Sequence, residues 1–112
     1  MQNISWDDFQ KIDIRVGTVI EASEFREAAR SAFKLRIDFG NNIGIKKSSA
    51  QITAIYSIKS LIGKQVIAVI NFSPKQIGPF ISECLVLGLY NKKHQVILVA
   101  PDEKVDNGSK LC

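Results

Sequence analysis

The chain has 112 residues with a formal net charge of +4, 46% of them hydrophobic and 23% charged, and its pI is near 9.2. That balance excludes a disordered or low-complexity chain and predicts one domain, 1–112, with a single hydrophobic core over about 8–110. No apolar run nears the roughly 20 residues of a membrane span, and "MQNISWDDF" lacks the basic-then-apolar layout of a signal peptide, so the expectation is a cytoplasmic protein with no membrane insertion.

"SWDDFQKI" opens with Ser5-x-x-Asp8, a capping-box start with acids suited to a helix N-terminus. One or two helical turns are expected, packed down by a face carrying Trp6 and Phe9. In "KIDIRVGTVIEASEF" the residues Ile12, Ile14, Val16, Thr18 and Ile20 alternate with Asp13, Arg15, Gly17, Val19 and Glu21, which predicts a strand, with a bulge or sharp coil at Gly17. "REAARSA" reads as a loop with a short helical turn. "FKLRIDF" alternates more cleanly: Phe33, Leu35, Ile37 and Phe39 face the core, Lys34, Arg36 and Asp38 face outward.

A Gly-Asn-Asn turn then leads to a short strand near Ile43 to Lys47, and a short helix capped by Ser48 or Ser49 is expected to follow. "VIAVINF" is a strand. The connector "NFSPKQIGPFISE" is longer than the two to five residues of an ordinary hairpin turn, and Pro74 and Gly78-Pro79 stiffen it. "CLVLGLY" and "VILVA" are strands around the turn "NKKHQ", and the tail "PDEKVDNGSKLC" is polar and turn-rich. Five to seven short strands without a βαβ rhythm predict an all-β, mostly antiparallel barrel or sandwich.

Catalytic chemistry is poorly supplied. His94 is the only histidine and sits in a Lys-Lys-His-Gln turn, and Cys84 and Cys112 form no metal pattern. There is no Walker-type loop and no GxGxxG. Asp7-Asp8 and Asp102-Glu103 read as a helix N-terminus and a solvated loop. The reading is therefore a binding module with no catalytic residue, metal or cofactor. Its basic elements are Lys34 and Arg36 on one strand, Lys46-Lys47 followed by Ser48, Ser49 and Gln51, and Lys75 in the connector. Cations of this kind neutralise phosphates, while Ser, Gln and Asn meet sugars and base edges. Strict alternation puts Glu83 on a face with Leu85 and Leu87, so its carboxylate is expected to take backbone N–H groups or a lysine.

The stretches "DFQKIDIRVGTVIEASEF", "FKLRIDFGNNIGIKKSSAQIT", "LIGKQVIAVINFSPKQIGPFISECLVLG" and "PDEKVDNGSKL" resemble the tRNA-binding domain family. Within it they resemble the CsaA-type bacterial proteins, small stand-alone versions also described as export-related chaperones. The resemblance implies an OB-fold five-stranded Greek-key barrel with short helical turns, terminal extensions used for dimerisation, and RNA across the barrel's open face. Carried over by position, the RNA-facing residues are Lys34, Arg36, Lys46, Lys47, Ser48, Ser49, Gln51, Asn71, Lys75, Ser82 and Glu83. The chaperone alternative implies an apolar groove for unfolded or precursor polypeptides, with Phe72, Ile77, Phe80 and Ile81 as its lining. In a homodimer, Trp6 and Phe9 would be the anchors. "REAARSAFKL" lacks the proline that such proteins often carry before Ala-x-Lys-Leu, a departure that concerns the shape of this loop.

Overall fold

The alternation in "FKLRIDF" organises the centre of the molecule. In the computed structural model, which describes Met1 to Cys112, the elements run α1 (Trp6–Gln10), β1 (Ile14–Glu24), β2 (Phe33–Asp38), β3 (Ile45–Ala50), α2 (Ile58–Leu61), β4 (Gln65–Val69), β5 (Lys75–Ile77), β6 (Phe80–Ser82), β7 (Leu85–Val86), β8 (Gly88–Tyr90) and β9 (Val96–Leu98). Five strands form an antiparallel sheet in the order β3-β2-β1-β4-β7. The first three are a meander and β4 returns beside β1, the Greek-key order. The sheet curls until the chain before β7 reaches β3, where Glu83 N–H donates to the Lys47 carbonyl at 2.7 Å. The result is the expected OB-fold-type barrel, nearly closed. No helix is long and apolar enough to cross a membrane.

Val19, Leu35, Ile37, Phe39, Leu61, Val66 and Ala68 fill the barrel and are almost wholly buried. Burial of each large side chain among them contributes roughly 1.5–3 kcal/mol. Leu61 enters from α2, a single turn that starts at Ser57 with reciprocal Ser57–Ser60 capping bonds. The helix expected to start at Ser48 or Ser49 is not there. Both serines lie in β3, paired with Leu35 and Lys34 of β2, because six consecutive ladder pairs outweigh a capping preference.

Strict alternation along β1 is also corrected. A register shift between Val19 and Glu21 turns the strand, so Val19 is fully buried and Ile20 is 40% exposed. Gly17 is not the bulge. Its hydrogen lies against the core, where a Cβ would sit 2.6 Å from Ile37 and 2.8 Å from the Phe39 ring, so the position demands close approach. "CLVLGLY" is two strands, not one. Leu87 donates to Ile67 O at 2.9 Å and accepts from Val99 N–H at 3.2 Å, and β8–β9 then departs as a separate hairpin.

The two ends behave differently. At α1 the capping box forms as expected, with Ser5 and Asp8 bonding each other's backbone N–H, but the helix buries no residue. The Trp6 and Phe9 rings lie 5.4 Å apart, tilted by 42°, and Phe9 is half-buried while Trp6 stays 64% exposed, so the expected packing of this face is only partial within one chain. The C-terminal segment is seated on its own barrel. Beyond the reach of β2, the free edge of β1 is covered by Gly108 N–H to Val16 O (2.7 Å), Val16 N–H to Ser109 O (3.0 Å) and Leu111 N–H to Ile14 O (2.9 Å).

Candidate nucleic-acid interface

Residues directly opposite in an antiparallel pair share a face. Lys34 lies opposite Ser49 and Arg36 opposite Lys47, while across β1 Ser23 faces Lys34 and Glu21 faces Arg36. Three cations therefore gather on the outer face of β1–β2–β3. The same rule removes two expected residues from that face. Lys46 pairs with the buried Ile37 and Ser48 with the buried Leu35. Ser48 is 1% exposed and its hydroxyl donates to Cys84 O at 2.9 Å, so it closes the barrel and cannot meet a ligand. Lys46 is half-buried on the opposite side from Lys47.

Two phenylalanines support the cations. Lys34 Nζ lies 5.7 Å from the Phe25 ring centroid and Lys47 Nζ 5.5 Å from that of Phe80. The two rings meet edge-on at 5.3 Å. Each cation–ring contact is worth about 0.5–1 kcal/mol at an exposed site and narrows the positions the ammonium samples. Arg36 is held by Glu21 at 2.9 Å. Phe80, expected to line a polypeptide groove, is part of this basic face.

The long connector is neither loose nor a simple loop. Lys75–Ile77 and Phe80–Ser82 pair as a tight hairpin, turned by Gly78 at φ 56° and Pro79. Its return strand is bound to β3 by side chains. Ser49 N–H donates to Ser82 Oγ (3.1 Å) and Lys47 N–H to Glu83 Oε1 (2.9 Å). Glu83 thus takes a backbone N–H, the first of its two expected roles, and organises the loop. Ser82 is likewise engaged, accepting from Ser49 and donating to Cys84 O at 3.4 Å. Asn71 faces elsewhere: its amide accepts from Asp13 N–H (3.0 Å) and donates to Lys11 O (2.7 Å), fastening the end of β4 to the chain entering β1. It is a clamp, and its polar atoms are occupied.

Between the hairpin and β3 lies a groove of about 630 Å³, whose walls include Ser49, Gln51, Phe72, Ser73, Lys75 and Ile77. Ile81 is exposed but does not line it. Ser23, Lys34, Arg36, Lys47 and Phe80 line a neighbouring hollow of about 180 Å³. In the wall of the larger groove, burial pushes the Cys84 thiol up to about 11, although the Ser48 hydrogen bond and the Lys46 charge pull the other way. Sequence reasoning missed Ser23, Phe25 and Ser73. Strict alternation already puts Ser23 outward with Glu21, but a lone strand serine carries no binding signal of its own, and Phe25 and Ser73 lie outside the stretches that alternate.

The family described as "Putative tRNA binding domain" matches residues 14–110. The chain belongs to the tRNA-binding domain family. Among solved structures, the tRNA-binding domain here is similar to the chaperone CsaA of Bacillus anthracis strain Ames, with 45% identity, a TM-score of 0.93, and coverage of 99% of this chain and 100% of that one. It is also similar to the CsaA chaperone protein of Picrophilus torridus, at 52% identity and TM-score 0.93, covering 98% and 100%. The methionine–tRNA ligase of Parabacteroides distasonis is 33% identical over 110 residues, 98% of this chain but 16% of the ligase. This chain therefore spans a small fraction of the length of the curated relatives it matches.

Proposed function

We propose that this protein binds tRNA, without chemistry of its own, through the outer face of β1–β3 and the β5–β6 hairpin. The observation that carries the reading is the register that sets Lys34, Arg36 and Lys47 side by side, two of them over touching aromatic rings, in a member of the tRNA-binding domain family. Such a face neutralises backbone phosphates, and a binder of this kind works in the cytoplasm. Each phosphate contact adds about 0.7–0.9 to the dependence of log affinity on log salt, which electrophoretic mobility shifts at several salt concentrations measure. Absence of tRNA binding at low salt contradicts the proposal.

Polypeptide binding is a second reading. It is favoured by Phe72, 57% exposed, and Ile77 in the groove beside the hairpin, and by two similar structures named as chaperones. The proposal also includes a homodimer seated on the N-terminal helix. Its support is the exposed apolar cluster of Trp6, Ile12 and Leu111, which with Phe9 lines one hollow.

A further inference from the structure

The groove between β3 and the β5–β6 hairpin has chemistry that phosphate neutralisation does not use. Its volume, about 630 Å³, falls in the roughly 300–1,000 Å³ of small-ligand pockets. Ser82 and Glu83 form part of its wall; Ser82 Oγ and Glu83 Oε1 accept backbone N–H groups of β3, while the second Glu83 carboxylate oxygen makes no hydrogen bond within the protein. The Ser49 hydroxyl, the Gln51 amide, the Ser73 hydroxyl and the Lys75 ammonium also line it, and none of these makes a hydrogen bond within the protein. Phe72 adds an aromatic ring that is 57% exposed, although Phe25 and Phe80 of the adjoining face are packed against each other.

A free amide carries both donors and an acceptor, the combination that reads the edge of a base. An exposed ring stacks on a base face, hydroxyls meet ribose, and an ammonium meets phosphate. Base-paired RNA supplies the ribose and phosphate but neither the free base face nor the pairing edge, because its bases are stacked and those edges are occupied. The groove is continuous with the basic face: Ser49 lines it and stands directly opposite Lys34. Backbone leaving Lys34 and Lys47 therefore lies next to the groove mouth; of the two acids beside that path, Glu21 is paired with Arg36 and one oxygen of Glu83 is bound to the Lys47 N–H.

We infer that this groove is a pocket for one unpaired nucleotide of the bound RNA, with Phe72 stacking on its base, Gln51 on its base edge and Lys75 on its phosphate. The inference rests on the tRNA-binding reading and adds a selectivity for unpaired bases. An extended polypeptide in the same groove would leave the convergent Gln51, Ser49 and Ser73 groups to chance backbone pairing, so the polar set favours RNA.

The test compares short single-stranded oligouridylate with a blunt, fully paired RNA duplex. Phe72→Ala is expected to weaken oligouridylate binding roughly 5- to 150-fold and to leave duplex binding unchanged. Phe72→Trp restores it, and Lys34→Ala weakens both RNAs. In the wild-type protein, oligouridylate shifts the NMR signals of the Gln51 side-chain amide and the Phe72 ring. If wild type binds duplex and tRNA but Phe72→Ala and Gln51→Ala leave oligouridylate binding unchanged, the pocket is refuted and the tRNA reading stands. If wild type binds no RNA, both are refuted. If an unfolded polypeptide shifts those signals and oligouridylate does not, the groove is a polypeptide site and the inference is overturned.

Discussion

Glu83 binds Lys47 twice: its backbone N–H donates to Lys47 O at 2.7 Å, and its carboxylate accepts the Lys47 N–H at 2.9 Å. A strand partner would satisfy the same two groups with main chain alone. Here a side chain completes the pairing, so the barrel closes at a point where no regular strand faces β3. The same bond fixes the backbone of a residue on the basic face, so closure of the fold and placement of Lys47, a proposed RNA contact, depend on one carboxylate.

Removing that carboxylate leaves the Lys47 N–H without its acceptor, which costs about 1–3 kcal/mol when the group is shielded from water. Glu83→Ala is expected to lower stability by that amount in urea unfolding and to speed hydrogen exchange at the Lys47 amide. Glu83→Gln retains an acceptor oxygen and loses less. Unchanged exchange at Lys47 in Glu83→Ala contradicts this role.

The two cysteines differ sharply. Cys84 is buried and Cys112 exposed, and burial raises the Cys84 pKa from 9.0 to about 11. Below pH 9 the folded and unfolded thiols are both protonated. Between pH 9 and 11 the unfolded thiol ionises while the folded one keeps its proton, so stability falls across that window, by up to about 2–3 kcal/mol. Comparison with Cys84→Ala isolates this loss from the titration of lysines. At pH 8 a thiol reagent should modify one cysteine quickly, Cys112, and reach the second only on unfolding.

Glu21 is the acid on the basic face, 2.9 Å from Arg36 with both side chains about half-exposed. Surface pairs of this kind contribute at most about 1 kcal/mol to folding. Glu21→Gln should therefore leave the fold intact, free the guanidinium and raise tRNA affinity up to about 5-fold at low salt. A gain that persists in high salt would show that the effect is not electrostatic.

The N-terminal helix tests the dimer. Light scattering of the wild-type chain is expected to give twice the 12.4 kDa of one chain, and Trp6→Ala should move the mass toward the monomer at micromolar concentration. A wild-type mass of 12.4 kDa contradicts the dimer.

Much of this was readable from single segments. Phe33, Leu35, Ile37 and Phe39 alternate without interruption, and each is buried as expected. The same period should have separated Lys47 and Ser49 from Lys46 and Ser48, since adjacent strand residues face opposite ways. A run of basic and hydroxyl residues reads as one patch, but only half of it faces out. The bulge after Val19 was invisible because it depends on pairing with β2, not on any local residue. The β5–β6 hairpin was hidden for a related reason: Lys75-Gln76-Ile77 carries no hydrophobic alternation, and its strand conformation comes from its partner across Gly78-Pro79. Asn71 looked like a free amide because both groups it bonds lie about 60 residues earlier in the chain.

The most direct test of the central claim is the tRNA affinity of wild type and of Lys34→Ala, Arg36→Ala and Lys47→Ala across a range of salt concentrations. Wild type should bind at low salt, with log affinity falling linearly as log salt rises, and each substitution should reduce the slope by about 0.7–0.9. No binding at low salt, or an affinity that salt does not change, contradicts tRNA recognition by this face.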